Sequence, residues 1–540
     1  MTAARLLAAG CVIHLALVLP AAPMPAGDAL LRIAPDLPLV LLALSWLGRA
    51  GRVAIAAALT LLVMQKIADL AMAAALGRPF NAIADGTLIR AGLDLLADAV
   101  GGPALSAGSA AVIAATMAGL WALWWACGIW SGRASGRHRR LGLAALAALS
   151  LIAAGSGLGW HGNGPYAAAK VALLQKTARD LRQIRALAAR DHLAGADGLL
   201  RDIDRDVLVI FVESYGRASF DAPFHAERHM HRLLWDQDRL AQAGLAMRSG
   251  FLAAPTQGGQ SWLSHASFAS GLRVADQAGY GAVLASGRQG LFHHARRAGF
   301  RTAAVMPAIT RPWPESATMG FDRVLAADDL GYRGRPFNWV TMPDQFTLAA
   351  LDRLLRQADD PRPLFAQVAL ISSHAPWVPV PRLLPWDQLG DGRIFDAMAV
   401  AGDPPQVLWR DRDRVRAAYR DAVDYSLATV MDYAALHAAD PPLMIVLGDH
   451  QAAPWVAMDD RPDVPIHVIG PAALVDRTAD WGLTPGLIPP QDSAALPMDR
   501  MRDLILRGFG GPDPRPLLPR RWRPMMAGRC EQEFPCLRSR

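Results

Sequence analysis

The chain has 540 residues, 52% of them hydrophobic and 19% charged, with 47 glycines and 39 prolines. That balance excludes a disordered chain and fits a wholly soluble one poorly, because soluble domains run nearer a quarter charged; the apolar excess lies in the first ~160 residues, which excludes an all-membrane protein too. The net charge of +7 has no lysine or arginine block behind it and the 16 tryptophans are scattered, so no nucleic-acid partner is expected.

Five apolar stretches open the chain: Leu6 to Ala22, Leu37 to Leu47, Val53 to Ala75, Ala110 to Trp130 and Leu141 to Leu158. The third and fourth reach the ~20 residues that cross a bilayer unaided. A cleaved signal peptide is the rival reading of the first, since Arg5 precedes it and Ala21-Ala22-Pro23 follows; the stretches that come next favour an uncleaved helix. Arg49 and Arg52 fall between stretches two and three, and Arg133, Arg137, Arg139 and Arg140 between four and five. Arginines in short loops mark the cytoplasm, so the N-terminus is expected there and everything after Trp160 outside a bacterial inner membrane. Lys66 and Asp69, three apart in the third stretch, share a helix face and either neutralise each other or serve function. The segment Asn81 to Val100 is amphipathic and suits a helix lying in the interface. Cys11 and Cys127 fall in apolar helices, whereas Cys530 and Cys536, in RCEQEFPC, have the spacing of a small disulfide loop in an oxidising compartment; as zinc ligands they lack a second pair.

Ala167 to Leu199 reads as an amphipathic linker helix at the membrane surface. Strand and helix then alternate. Val207 to Val212, Arg301 to Met306, Leu364 to Ile371 and Leu443 to Leu447 are continuous apolar runs, the pattern of strands buried on both faces of a largely parallel sheet. Helices are expected at His225 to Ala243, Ser264 to Ser270, Gln289 to Ala298, Gln345 to Gln357 and Arg410 to His437. Such an α/β sandwich binds ligands at the carboxyl ends of its strands. Three of those ends carry chemistry: Glu213-Ser214-Tyr215-Gly216, Ser373-His374-Ala375-Pro376 and Asp449-His450. Carboxylate oxygens with an imidazole suit Zn²⁺ or Mn²⁺. A glycine-bearing loop leads to Ser261 and a short helix, where the hydroxyl is either a nucleophile beside backbone N–H groups or only a cap, with Ser264 an equally good cap.

Taken in order, Glu-Ser-Tyr-Gly, the glycine loop to Ser261, Trp313 followed by Gly320-Phe321-Asp322, Ser-His-x-Pro and Gly-Asp-His resemble the alkaline phosphatase/sulfatase superfamily. With five helices ahead of that domain, the chain looks like the lipoteichoic acid synthase, phosphoglycerol transferase and phosphoethanolamine transferase group. The resemblance implies residue roles. Glu213, Asp449 and His450 match metal ligands, joined by Ser261, which falls where the transferases have a nucleophilic threonine. His374 matches the histidine at the transferred phosphoryl group or its leaving oxygen, and Trp313 lies in the substrate-contacting segment. There are departures. Ser261-Trp262-Leu263-Ser264-His265 lacks the proline and arginine of the sulfatase modification signal, and a single Glu213 stands where sulfatases have paired aspartates. Both favour phosphoryl transfer. Pro314-Glu315 follows Trp313 where glycerol-phosphate polymerising relatives carry a basic residue, a part open to Arg311. His467 is read either as reaching a second metal position or as a buried strand histidine.

The expected architecture is therefore a five-helix transmembrane domain at 1–160, a linker at 161–204, a sulfatase-like α/β domain with a mostly parallel central sheet at 205–515 and a tail at 516–540. The expected function is metal-dependent transfer of phosphoglycerol or phosphoethanolamine from a membrane phospholipid to an envelope glycan or lipid. A sulfatase or phosphodiesterase on the same site, and a non-catalytic glycan-binding domain, are the alternatives.

Overall fold

The structure, a computed structural model, describes residues 3–22, 34–76, 78–86, 102–131, 137–155, 163–339 and 341–510. The Cys530 and Cys536 pair, Arg133 and most of the expected interfacial helix lie outside the described residues. The chain forms two compact units: Met1–Arg190 with Gly258–Leu263 and Val274–Gly287, and Asp191–Gln257 with Ser264–Arg273 and the chain from Arg288 onward.

The first unit contains α1 (Ala3–Val18), α2 (Leu37–Trp46), α3 (Arg49–Leu76), α4 (Gly102–Trp130), α5 (Arg137–Gly155) and α6 (Asn163–Ala188). Helices thus stand at all five apolar stretches, but among the described residues only Arg49–Ala73 and Ile113–Trp130 are long and apolar enough to cross a membrane. The reason is length. At ~1.5 Å per residue the 16 residues of α1 and the 10 of α2 fall short of the ~30 Å hydrocarbon layer. Ala9, Ile13 and Leu17 of α1, Leu41 and Leu44 of α2, Leu59 of α3 and Leu123 of α4 share one apolar cluster.

Asp69 takes its ion-pair partner from another helix rather than from Lys66. Its Oδ1 accepts from Lys170 Nζ at 2.6 Å and its Oδ2 from the Tyr166 hydroxyl at 2.6 Å, both on α6. Lys66 Nζ donates to the Leu17 carbonyl at 2.8 Å. Asn81 Nδ2 donates to Thr177 Oγ1 at 2.6 Å. A carboxylate on the apolar α3 thus fastens the polar α6, a use of buried charge that the spacing of Lys66 and Asp69 does not announce.

The second unit is built on a nine-stranded sheet: β1 (Val207–Val212), β2 (Ala246–Ala253), β3 (Arg301–Met306), β4 (Arg323–Ala326), β5 (Leu364–Leu370), β6 (Leu443–Gly448), β7 (Asp463–Gly470), β8 (Thr484–Pro485) and β9 (Leu496–Pro497). The order is β4-β3-β5-β1-β6-β7-β2-β8, with β9 beside β2. From β4 to β6 every pairing is parallel, and β7, β2 and β8 continue antiparallel, so the sheet is mixed but mostly parallel. The strands at Val207, Arg301, Leu364 and Leu443 stand where the apolar runs predict them.

β1 shows why the run is continuous. Leu208, Ile210 and Val212 enter the core on one face, and Val207, Val209 and Phe211 enter the core on the other. With neighbours on both edges, each of these side chains is fully or almost fully buried, an environment in which a polar residue would need its own partner. Residues Val212, Leu370 and Gly448 lie in register, so β5, β1 and β6 end side by side. One face is covered by α7 (Pro223–Gln242) and by a long helix at Arg412–Leu436, which starts where Asp411 caps the backbone N–H groups of Asp413 and Arg414. Ion pairs from Arg228 to Asp424 and from Arg239 to Asp432 join these two helices.

His225 and His229 of α7 donate through Nε2 to the carbonyls of Val456 and Arg420, and their Nδ1 atoms are buried without partners among the described residues. Burial pushes both rings from the ordinary 6.5 down to about 4. A neutral ring is native, so the unfolded chain binds more protons as pH falls below about 6.5. Stability contributed by these rings is full above that pH and is lost as pH falls through 4, at roughly 1.4 kcal/mol per pH unit for each ring. Urea unfolding of the detergent-solubilised chain should show a midpoint that drops between pH 7 and pH 5, and a smaller drop in His229→Gln.

Candidate metal centre

Glu213, Asp449 and His450 follow the ends of β1 and β6, and their ligand atoms all lie within 4.8 Å of one another. All three are buried. Asp449 is fixed by the backbone: its Oδ1 accepts from the N–H of Ser214 at 2.8 Å and from that of His450 at 2.7 Å. Ser214 reaches Asp449 because it adopts φ +57°, a left-handed conformation that turns the chain sharply after β1. The Ser214 hydroxyl donates to Glu213 Oε1 at 2.8 Å, the Ser214 carbonyl accepts from the Tyr419 hydroxyl at 2.9 Å, and Ser373 Oγ after β5 donates to the Glu213 carbonyl at 2.6 Å. The geometry is therefore held by groups from three strand ends and the long helix.

His450 Nε2 stands 3.2 Å from Glu213 Oε1 and 3.8 Å from Asp449 Oδ2. It is buried and lacks the alignment of a hydrogen bond to any described group. A nitrogen facing two carboxylates without a hydrogen bond is the arrangement expected where a cation lies between them. Two carboxylate oxygens and an imidazole nitrogen fit Zn²⁺ or Mn²⁺, leaving at least one position open. Burial pushes Glu213 up, but the charges of His450 and His374 outweigh it and hold the carboxyl below the usual range. Burial likewise lowers His450, and Asp449 and Glu213 more than reverse it, raising the ring to about 9.

The other sequence candidates are placed as follows. His374, after β5, is exposed, and its Nδ1 lies 2.6 Å from the Ala375 carbonyl. Trp313 is half-buried in the loop after β3 and packs with Met306, Ala369 and Phe321; Arg311 in that loop is exposed. Ser261 is the first residue of α8 (Ser261–Ser270), half-exposed, and Gly258–Leu263 groups with the first unit. Ser264 is buried inside the helix and so is not its cap. His467, on β7, is bonded at both nitrogens within the core. Ser249 Oγ, which donates to the Gly486 carbonyl, lies 2.7 Å from Nδ1, and the Tyr215 hydroxyl lies 3.0 Å from Nε2. Burial pushes this ring down to about 3. It is the strand histidine of the two readings.

Some supports have no sequence signature. Tyr419 is one, and Gln451 is another: its Oε1 accepts from the Ala218 N–H at 2.9 Å and its Nε2 donates to the Arg461 carbonyl at 2.8 Å. His265, the last residue of the SWLSH stretch, is buried with its ring 4.1 Å from that of Phe211.

A sheet whose neighbouring parallel strands end in buried carboxylates and an imidazole makes an α/β domain with a candidate divalent-metal site. Residues 205–455 match the family model described as Sulfatase, in keeping with the resemblance to the alkaline phosphatase/sulfatase superfamily; members of that superfamily are metal-dependent transferases and hydrolases of phosphoryl or sulfuryl groups. Among solved structures, the chain is similar to the lipoteichoic acid synthase LtaP from Listeria monocytogenes, at 13% identity and a TM-score of 0.35 over 54% of this chain and 71% of that one. The periplasmic domain of EptC from Escherichia coli, in complex with Zn, aligns at 14% identity and 0.35 over 56% and 91%. A phosphonate monoester hydrolase from Silicibacter pomeroyi aligns at 15% and 0.34 over 57% and 73%. No curated protein matches the chain in sequence.

Two substitutions check the centre. A Cβ added at Gly448 would lie 1.8 Å from the Tyr215 carbonyl oxygen, a backbone atom with no room to yield. Gly448→Ala should therefore lower stability by about 1–3 kcal/mol and reduce bound metal. Asp449→Asn keeps the acceptor for Ser214 but removes a charge, so it should abolish stoichiometric zinc binding, read by elemental analysis after dialysis, while the unfolding midpoint of the metal-free protein changes little.

Proposed function

We propose that the protein is a metal-dependent transferase of the bacterial inner membrane that moves phosphoglycerol or phosphoethanolamine from a phospholipid to an envelope glycan or lipid, with its catalytic domain outside the cytoplasm. The observation that carries this reading is the buried Glu213–Asp449–His450 cluster. A chain that also has helices of membrane-crossing length suits a donor that never leaves the bilayer.

A divalent ion held by Glu213, Asp449 and His450 supplies charge that lowers the pKa of a hydroxyl and polarises a phosphoryl oxygen. In this reading Ser261 Oγ forms a bond to phosphorus while the bond from phosphorus to the diacylglycerol oxygen breaks, and the proton lost by the serine ends on the diacylglycerol. His374 exchanges that proton through Nε2. An acceptor hydroxyl then attacks phosphorus, the serine oxygen leaves, and the acceptor's proton returns to Ser261. Two in-line displacements retain configuration at phosphorus. Trp313 and Arg311 are assigned to the substrate's glycerol or ethanolamine end.

Incubation of the zinc-loaded protein with phosphatidylglycerol or phosphatidylethanolamine, followed by intact and peptide mass spectrometry, should show a phosphodiester adduct on Ser261 with one lipid and none in Ser261→Ala. Turnover of an aryl sulfate or a soluble phosphodiester, with no adduct from either lipid, would replace the transferase by a hydrolase.

A further inference from the structure

His265 is a buried imidazole whose Nε2 has no hydrogen-bond partner among the described residues. Leaving such an atom desolvated and unpaired is costly, and an apolar ring would fill the same space beside Phe211 without that cost. The position of the ring says what would relieve it. It lies over Phe211, which stands near the end of β1, two residues before Glu213 in the chain. Glu213 and His450 both act electrostatically on the ring, while burial keeps it neutral, pushed down to about 4. It is not a fourth member of the cluster whose ligand atoms approach within 4.8 Å. Along α8, His265 follows Ser261 by four residues, one helical turn.

We propose that His265 is a substrate-contacting residue, its Nε2–H donating to an anionic oxygen of the tetrahedral phosphoryl or sulfuryl group that binds at the Glu213–Asp449–His450 centre. This rests on the group-transfer reading above. A bound oxyanion selects the tautomer with the proton on Nε2 and gives the buried nitrogen its missing acceptor, and a hydrogen bond to a charged acceptor is among the stronger ones.

The test is calorimetric titration of the zinc-loaded full-length protein with inorganic phosphate, and separately with sulfate, for wild type, His265→Gln and His265→Phe. Expected is a dissociation constant for the preferred anion that weakens roughly ten- to a hundredfold in His265→Phe and less in His265→Gln, which keeps a donor. Zinc stoichiometry and unfolding midpoint should be retained in both. Unchanged anion affinity in His265→Phe with zinc retained overturns the proposal and leaves the group-transfer reading standing. Loss of zinc from both variants overturns it too, because the ring would then support the metal itself. A wild type that binds zinc but neither anion overturns both readings together.

Discussion

Burying two carboxylates side by side is the constraint on which this structure turns. Glu213 and Asp449 are both almost completely withdrawn from water, and an isolated charge in such a place is unfavourable by several kcal/mol unless something of opposite sign compensates it. His450 lies against both, and their charges raise its ring above the ordinary imidazole range. The arrangement is one that a divalent cation satisfies better than a proton does, since the nitrogen already faces the carboxylates without the geometry of a hydrogen bond. Much of the surrounding architecture can be understood as a means of keeping these groups together against their mutual repulsion.

That means is the sheet. Parallel strands β5, β1 and β6 end in register, so side chains that follow them emerge together even though they are far apart in sequence. The left-handed Ser214 lets one backbone N–H serve Asp449, and glycine at 448 lets the β1 turn pass over the end of β6. Tyr419 then ties that turn to the long helix. Backbone donors and buried hydroxyls thus orient the carboxylates before any ligand arrives, which is the preorganisation that electrostatic catalysis requires.

The central strands were legible in the sequence because burial on both faces forces an unbroken apolar run, as in VLVIFV. β2 was not, because Arg248 and Ser249 interrupt it and find partners only across the fold, at the Leu483 and Gly486 carbonyls and at His467. β4, with four residues and an exposed Arg323, is too short to carry a period. In the same way the residues at strand ends could be read from their place after apolar runs, whereas Tyr419, Gln451 and the buried nitrogen of His265 acquire meaning only from tertiary neighbours. In the first unit, helix positions followed hydropathy. The partner of Asp69 did not, because Lys170 lies 101 positions away.

The segment that bears Ser261 packs with the helical first unit, although it lies deep inside the portion of the chain that supplies the sheet. The link can be traced. Trp262, next to Ser261, donates through its indole to Gln277 Oε1 at 2.9 Å; Gln277 opens a helix at Gln277–Leu284, which packs on α6, and a Cβ added at Gly279 would lie 3.0 Å from Ile184. Residues 1–190 are consequently more than a tether. The loop before Ser261 is in contact with that unit's helices through Trp262 and the helix that Gln277 opens.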